Sequence, residues 1–473
     1  MKQMRRAIRV VTVLLVVMFL GLGGWLGYTV YSQGSRWTTS QLNSRLNVAK
    51  KSNAMGDIID RNGLVLATTL ADRTRKYSGD KSIRLAVSQT VGDAMGMSGT
   101  GVETFHAGTL LGLSGSIIDR TWQVLSGTQA RGDDIRLTID AELCAYISEQ
   151  FPSKKQGAVV VMNYQTGEIL AMVSKPDYDP AALTTRQSGA DETGSGYLNR
   201  VLQGQYPPGS TFKIVTLAAT LENLPAAVDR TYVCEGLREF GKGKVTCYGG
   251  AVHGKMSLLE AFEKSCNITF ASLAVEMGDQ KLIAAARRMG FDTNFSFRDL
   301  VLYESSIPDS IGDVSELAWT GVGQGKLLVT PLHMALITSA VANGGVMPTP
   351  QLIKQVTGVG GLPRLRAASG AYGRVMTESE ADFIGRYMAR VVKDGTASKA
   401  AVKGYTVCGK TGSAETSDDK SVPTDAWFVG YLDDPAHPYA IAVVVEKGGA
   451  GGEIAAPLAA KVLKKAIARN ITG

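Results

Sequence analysis

Ser210 and Lys213 are the residues in this sequence with the clearest chemical potential. They stand three positions apart, and an apolar segment follows them. Residues 207–209 are Pro-Pro-Gly, which favours extended backbone and then a sharp entry into a helix. Positions i and i+3 share one helix face, so the lysine amine is expected beside the serine hydroxyl. A buried lysine with a lowered pKa can take the serine proton, so the pattern predicts an activated nucleophile.

The S-x-x-K spacing alone is weak evidence, because it occurs three times in the chain. The pairs at positions 78/81 and 417/420 lie in polar sequence, where a serine and a lysine on one exposed turn need no further explanation. Only the pair at 210/213 opens an apolar helical segment. The other two pairs are therefore not predicted to be catalytic.

Two further short motifs follow the serine along the chain. Ser265-Cys266-Asn267 stands at the head of a helical stretch, and Lys410-Thr411-Gly412-Ser413 lies on a predicted strand. Each has an ordinary alternative: a serine or asparagine often caps a helix, and a glycine often ends a strand. The order S-x-x-K, S-x-N, K-T-G on helix, loop and strand is the set of motifs that marks penicillin-binding proteins and serine β-lactamases.

The surrounding sequence predicts an α+β fold that brings these motifs together. Apolar runs at 157–162 and 167–173 flank a turn and predict a β-hairpin. Three later strands are predicted at 406–413, 426–432 and 439–446, and a closing helix at 454–468. Between them the apolar pattern is helical, most clearly at 257–277 and 331–342. The late strands are close enough in sequence to pair antiparallel.

Charge and hydropathy indicate a membrane location rather than nucleic-acid binding. The chain of 473 residues has a net charge of +7, and four of its positive residues stand in the first nine positions with no acidic residue among them. Basic residues are not clustered elsewhere, so no nucleic-acid partner is expected. Residues 10–31 carry no charge and are long enough to cross the hydrocarbon layer of about 30 Å. Trp25 and Tyr28 suit the interface better than a signal cleavage site.

Cysteines and histidines are few. Cys234 and Cys247 bracket a Gly/Lys-rich segment and form the pair best suited to a disulfide outside the membrane, although the sequence leaves their pairing open. The remaining three cysteines are expected to be buried thiols. The four histidines are scattered, and no G-x-S-x-G elbow or H-E-x-x-H motif accompanies them. No metal site and no cofactor are therefore predicted.

Longer phrases make the chain resemble the class B penicillin-binding proteins, which are peptidoglycan D,D-transpeptidases. The resemblance covers about residues 50–473. Its phrases are Gly56-Asp-Ile-Ile-Asp-Arg61, Asn199-Arg200, Gly321-Val-Gly-Gln-Gly325, Asp394-Gly-Thr-Ala397 and Ala426-Trp-Phe-Val-Gly430. Three positions depart from the family pattern: Met55 stands for an arginine, His333 for a glutamine and Ser413 for a threonine. None of these changes removes a catalytic atom.

The resemblance implies a role for each motif residue. Ser210 would attack the penultimate D-Ala carbonyl of a stem peptide ending in D-Ala-D-Ala, and Lys213 would take its proton. Ser265 and Asn267 would relay protons and hold the substrate amide. The remaining expectations are that Lys410 and Thr411 bind the terminal carboxylate, that Gly412 lets the substrate backbone lie against the strand, and that the N–H groups of Ser210 and Ser413 form the oxyanion hole. β-Lactams would trap the serine.

The family also implies an architecture and partners. The expected transpeptidase domain, residues 151–473, has a five-stranded antiparallel sheet flanked by helices and a helical subdomain. A small mixed pedestal at 32–150, a transmembrane anchor at 10–31 and a cytoplasmic tail at 1–9 precede it. This places the catalytic domain outside the bacterial cytoplasmic (inner) membrane. A SEDS-type glycan polymerase is the implied partner, and no module is expected beyond the closing helix.

Three alternative functions share some of these features. A secreted β-lactamase or D,D-carboxypeptidase would carry the same motifs, but the anchor and pedestal disfavour the lactamase. A bifunctional class A enzyme would need a glycan polymerase domain, for which residues 32–150 are too few. A catalytically silent scaffold or β-lactam sensor would not need all of the motif residues, which are intact here.

Overall fold

The computed structural model describes residues 2–38, 53–113, 131–183, 195–358, 361, 363–366, 368–417, 419 and 421–471. The helices are α1 (Lys2–Thr38), α2 (Lys81–Ala86), α3 (Ser88–Val91), α4 (Val102–Phe105), α5 (Ala107–Leu110), α6 (Ala141–Gln150), α7 (Arg200–Gln203), α8 (Lys213–Asn223), α9 (Leu258–Glu263), α10 (Asn267–Met277), α11 (Asp279–Arg288), α12 (Val314–Val322), α13 (Pro331–Ala342), α14 (Glu378–Lys393) and α15 (Ala455–Ala468).

The strands follow the same chain order. They are β1 (Ile58–Ile59), β2 (Val65–Thr69), β3 (Arg75–Tyr77), β4 (Asp134–Leu137), β5 (Gly157–Asn163), β6 (Ile169–Lys175), β7 (Tyr232–Cys234), β8 (Leu237–Phe240), β9 (Gly243–Thr246), β10 (Gly254–Met256), β11 (Val346–Pro348), β12 (Ile353–Thr357), β13 (Pro363–Arg366), β14 (Ala371–Arg374), β15 (Val407–Ala414), β16 (Asp425–Leu432) and β17 (Tyr439–Val445).

A five-stranded antiparallel sheet of order β15-β16-β17-β5-β6 forms the centre of the catalytic region. Its strands are rich in valine and alanine, and every residue of β5, β16 and β17 is buried. A sheet without alternating exposure must be covered on both faces. Helices α13, α15 and α6 pack on it and provide this cover. The predicted hairpin, late strands and closing helix are confirmed.

The helical layer beside this sheet holds α8, α10, α11 and α12, which pack against one another. The sequence has a helical pattern over 257–277, with the S-x-N motif at the head of a helical stretch. In the structure this range forms two helices: the chain forms α9, turns, and begins again with α10. The break lies at Ser265, a non-glycine residue with φ of 55°. Left-handed backbone cannot continue an α-helix, so the chain turns within the S-x-N motif although the apolar pattern continues through it.

A second, six-stranded sheet of order β13-β12-β4-β1-β2-β3 lies in the pedestal. β1 runs parallel to β4, and β4 pairs antiparallel with β12. Two of its strands, β12 and β13, come from sequence well beyond residue 150. The pedestal sheet is thus completed by a late segment of the chain.

The N-terminal helix α1 contains a 26-residue stretch, Met4–Thr29, that is long and apolar enough to span a membrane. The apolar side chains of this stretch are exposed in the structure. Such exposure of a long apolar helix is unfavourable in water and is expected where lipid surrounds it.

Candidate active site

The Ser210 segment is a single turn of 3-10 helix, Gly209–Phe212, which leads directly into α8. Gly209 has φ of 53°, and a Cβ at this position would lie 3.2 Å from the Cα of Ala414 on β15. A glycine is therefore needed where the turn passes close to the sheet. The N–H of Gly209 also donates to the carbonyl of Gly323, at 2.9 Å. These contacts fix the turn against the edge of the sheet.

Ser265 lies between two buried lysines. Lys213 Nζ lies 3.2 Å from Ser265 Oγ, and Lys410 Nζ lies 2.9 Å from the same oxygen. Both ammonium groups donate to this hydroxyl, and both lysine side chains are fully buried. The structure thus brings one residue from each of the three motifs into a single hydrogen-bonded group.

Lys213 makes further contacts that the sequence did not indicate. Its ammonium donates to the carbonyl of Ser265 at 2.7 Å and to Oδ1 of Asn267 at 2.8 Å. Among the described residues, no hydrogen bond joins this ammonium to Ser210. In the structure the amine contacts the S-x-N motif, and its approach to the nucleophile stays a prediction. Catalytic hydrogen bonds often tighten only when substrate binds.

Burial governs the charge of both lysines. Desolvation lowers the pKa of Lys213 to about 7, an effect opposed by the nearby thiols of Cys266 and Cys247. Desolvation, together with the positive charge of Lys213, also lowers the pKa of Lys410 well below its usual value. A lysine with a pKa near neutrality can act as a base at physiological pH, which an exposed lysine cannot.

The turn at Ser265 is held from both ends. Its left-handed backbone costs of the order of 1–3 kcal/mol, which the surrounding contacts must offset. Asn267 begins α10, and its side-chain amide donates to the carbonyl of Thr246 on β9 at 2.8 Å. The S-x-N motif is therefore tied to the small ribbon of strands beside it.

The K-T-G motif lies on β15, an edge strand of the central sheet. Gly412, which is expected to admit the substrate backbone, also packs closely against the Ser210 turn. A Cβ here would lie 3.0 Å from the carbonyl oxygen of Pro208 and 3.1 Å from Thr211 Cγ2. The glycine lets the Ser210 turn seat on the strand. Ser413 Oγ accepts a hydrogen bond from the N–H of Gly451 at 3.1 Å.

Thr396 belongs to the site, although none of the three short sequence motifs contains it. Its hydroxyl lies 2.6 Å from the hydroxyl of Thr411, and both threonines line the cleft. The signal was present in the phrase Asp394-Gly-Thr-Ala397. No local property of this phrase indicated that it would meet β15.

Arg200 has a supporting role. Its guanidinium donates to Glu446 Oε1 at 2.7 Å and to Gln156 Oε1 at 2.6 Å. Tyr206, just ahead of the Ser210 turn, donates its hydroxyl to the same Glu446 oxygen at 2.7 Å. This buried group joins the Asn199-Arg200 phrase to β17 and holds the approach to the nucleophile.

The motifs open into one cleft of about 610 Å³. Ser210, Ser265 and Asn267 line one part of it, and residues 411–413 line another. A loop containing Tyr248 and His253 closes a further side. The cleft has the size of a binding site for a small peptide or drug-sized molecule.

Among the described residues, His333 is not part of a catalytic triad. His333 is buried, with Nδ1 2.8 Å from Ser305 Oγ and Nε2 2.8 Å from the carbonyl of Met289. Burial lowers its pKa to about 4, so it remains neutral. The departure from the family pattern at this position is thus a core substitution.

The predicted partners Cys234 and Cys247 are close together, but they are free thiols in the structure. Their sulfur atoms are 3.6 Å apart, whereas a disulfide bond measures about 2.05 Å. His253 Nδ1 lies 3.4 Å from the sulfur of Cys234. The predicted disulfide is therefore not formed in the structure, and the His253 imidazole lies beside the two thiols.

A five-stranded antiparallel sheet, a helical layer and a serine–lysine site between them are typical of serine acyl-transfer enzymes. The model of the penicillin binding protein transpeptidase domain matches residues 157–464. The chain is 31% identical over 407 residues to the peptidoglycan D,D-transpeptidase PbpA of Mycolicibacterium smegmatis, covering 79% of this chain and 81% of that protein.

Solved structures give the same result. The ceftriaxone acyl-enzyme complex of penicillin-binding protein A from Mycobacterium tuberculosis matches with a TM-score of 0.82 at 28% identity, covering 89% of this chain and all of that one. The D,D-transpeptidase domain of a peptidoglycan glycosyltransferase from Eggerthella lenta matches with a TM-score of 0.75 at 30% identity, covering 88% and 99%. This chain belongs to the penicillin-binding protein transpeptidase family. Its apolar N-terminal helix makes it a membrane-anchored member.

Proposed function

We propose that Ser210 is the nucleophile of this peptidoglycan D,D-transpeptidase and that Lys213 is its base. One observation carries this assignment: Ser265 Oγ bridges Lys213 and Lys410 in the cleft that Ser210 lines. Ser210 lines the same cleft as this group, so Lys213 can accept its proton once bound substrate tightens the contact. The group also has a cation to hold an anionic substrate.

The reaction follows from these positions. Ser210 Oγ attacks the carbonyl carbon of the penultimate D-Ala, and its proton passes to Lys213. The N–H groups of Ser210 and Ser413 stabilise the oxyanion, where losing one donor costs roughly 3–4 kcal/mol. The tetrahedral intermediate expels terminal D-Ala, whose amine takes a proton. An amine of a neighbouring stem peptide then attacks the ester, forms the new amide and restores the serine hydroxyl.

Recognition of the stem peptide uses the edge of the sheet. Among the described residues, no strand pairs with the outer side of β15, so an extended peptide can lie along it. Lys410 and Thr411 hold the terminal carboxylate, with Thr396 orienting the threonine hydroxyl. Ser265 and Asn267 hold the substrate amide and relay the proton. β-Lactams, which present a carboxylate and a strained amide, enter the same cleft and acylate Ser210.

Penicillin labelling combined with an acceptor assay tests this assignment. The full-length chain in detergent is incubated with a fluorescent penicillin, beside Ser210→Ala and the matched control Ser417→Ala, which alters another S-x-x-K serine. We expect stable label on the wild type and the control and none on Ser210→Ala. With a stem-peptide donor, we expect transfer to an added amine to exceed hydrolysis.

The other outcomes separate the alternatives. Label that is lost within seconds would indicate a β-lactamase. Release of D-Ala without transfer to the amine would indicate a carboxypeptidase. Label retained by Ser210→Ala would contradict the choice of nucleophile. A wild type that neither takes label nor releases D-Ala would be a silent scaffold, and one that keeps the label but does not process the stem peptide would be a β-lactam sensor.

We further propose that the tail 1–9 is cytoplasmic and that the catalytic domain lies outside the cytoplasmic membrane. The basic residues of the tail support this orientation, because the positively charged flank of a transmembrane helix usually stays in the cytoplasm. Protease added to spheroplasts should digest the catalytic region and spare an N-terminal tag. Digestion of the tag in intact spheroplasts would contradict this orientation.

The partner proposed from the family is a SEDS-type glycan polymerase contacted through the anchor and the pedestal. Co-purification in mild detergent tests it, with the anchor replaced by an unrelated apolar helix as control. Equal recovery of the polymerase with both proteins would reject a contact through the anchor.

A further inference from the structure

Four potential metal ligands meet beside the S-x-N motif. Cys234 ends β7, Cys247 follows β9, His253 precedes β10, and Cys266 stands between the two site residues Ser265 and Asn267. Their sulfur and imidazole nitrogen atoms all lie within 4.8 Å of one another. The three cysteines are buried and the histidine is half-buried. Thiolate and imidazole groups are the ligands that zinc prefers in proteins.

The spacing of the donor atoms fits a tetrahedron. Zinc–sulfur bonds of about 2.3 Å and zinc–nitrogen bonds of about 2.0 Å set tetrahedral edges of roughly 3.5–3.8 Å. Cys247 Sγ lies 3.6 Å from Cys234 Sγ and 3.8 Å from Cys266 Sγ. His253 Nδ1 lies 3.4 Å from Cys234 Sγ and 3.7 Å from Cys247 Sγ. Four of the six edges thus match a zinc tetrahedron and the other two are at most 4.8 Å, so small side-chain adjustments let one ion contact all four atoms.

The strands that carry these ligands need additional stabilisation. β7 and β10 form one two-stranded sheet, and β8 and β9 form another. Two-stranded ribbons are marginally stable in water. A metal ion would join both ribbons to the start of α10. Thr269 also donates its hydroxyl to Cys266 Sγ at 3.4 Å, as outer partners of metal-bound thiolates do.

We propose that Cys234, Cys247, His253 and Cys266 form a structural Zn²⁺ site. Three thiols and one imidazole fill all four positions, so the ion has no open position for substrate. Binding displaces three thiol protons, because thiolate is the ligand form. The spacing in sequence gave no sign of the site, since the ligands meet only after both ribbons fold.

The site has a consequence for catalysis, which rests on the proposed function. Cys266 lies directly between Ser265 and Asn267, so the ion fixes the left-handed turn that places Ser265 Oγ between the two lysines. Without the ion, that turn loses its anchor. A displacement of about 1 Å in such a site can slow a reaction by roughly a hundredfold.

Metal content and spectroscopy of the full-length chain test the site without any measure of activity. We expect about one zinc per chain by elemental analysis. Cobalt exchanged into the site should give a thiolate-to-cobalt charge-transfer band. Cys266→Ser and His253→Ala should lose both signals, and Cys144→Ala, which alters a buried cysteine elsewhere, should keep them. Chelation should lower the unfolding temperature of the wild type but not of Cys266→Ser.

Two results would overturn the proposal. One is a chain purified without chelator that holds no zinc and contains a Cys234–Cys247 disulfide by thiol counting. The other is zinc retained by both ligand variants, which would place the ion elsewhere. Penicillin acylation is measured in parallel. Zinc at the site with no acylation would reject the proposed function alone, whereas full acylation of a metal-free chain would reject the site's role in catalysis.

Discussion

The rate of acylation should rise as the pH increases through about 7, because Lys213 accepts the serine proton only when it is neutral. Burial lowers the pKa of Lys213 to about 7. A lysine with this pKa is neutral in about 9% of molecules at pH 6 and in about 91% at pH 8. The acylation rate at low penicillin concentration is therefore expected to increase about tenfold between these two values.

The same rate should also depend on the charge of Lys410. Lys410 binds the carboxylate as a cation, and burial beside Lys213 lowers its pKa well below the usual value. Raising the pH through that pKa removes the charge that attracts the ligand, so the rate falls there. Because both lysines contact Ser265 Oγ, the two transitions of the pH profile belong to the pair of lysines and not to either residue alone.

Stopped-flow labelling with a fluorescent penicillin across this pH range measures the profile. Lys264→Ala is the matched control, since this exposed lysine lines the same cleft and should leave the rising limb unchanged. Lys213→Ala should acylate far more slowly, without a rising limb near neutrality. A wild-type rate that is constant from about pH 6 to about pH 8, or a rising limb retained by Lys213→Ala, would refute the base assignment.

Three further substitutions test the supporting contacts. Gly412→Ala places a methyl group 3.0 Å from the carbonyl of Pro208, and strain of about 1–3 kcal/mol should slow labelling while circular dichroism stays unchanged. Thr396→Val removes the hydrogen bond to Thr411 and should raise the penicillin concentration for half-maximal acylation roughly fivefold, with the maximal rate retained. Arg200→Ala leaves Glu446 without its buried partner and should destabilise the protein by about 3 kcal/mol, seen as a lower unfolding temperature.

Regular, short-range features of the fold were predictable from the sequence. The valine-rich runs of β5 and β17 mark buried strands, and the adjacent late strands pair as expected. The turn at Ser265 was not predictable, because apolar residues continue through it and only tertiary contacts overcome the helical preference. The parallel pairing of β1 with β4 was not predictable either, because no local sequence pattern specifies a distant strand partner.

The same distinction applies to the site. The motif residues were found because each motif is local, while their arrangement around Ser265 Oγ depends on a sheet, a turn and a helix meeting in space. Thr396 and Arg200 stood in recognisable phrases, but their partners Thr411 and Glu446 lie in other elements. A single sequence does not reveal hydrogen bonds between residues that are this far apart in the chain.

The pedestal sheet also has a consequence for synthesis and export. In that sheet Leu137 on β4 pairs with Ile353 on β12, a partner that lies 216 residues later in the chain. At a translation rate of roughly 5–20 residues per second, β4 waits on the order of 10–40 s for that partner to be made. During this interval its open edge can pair with another nascent chain. A chaperone that covers this edge would therefore have to act before the catalytic region has been completed.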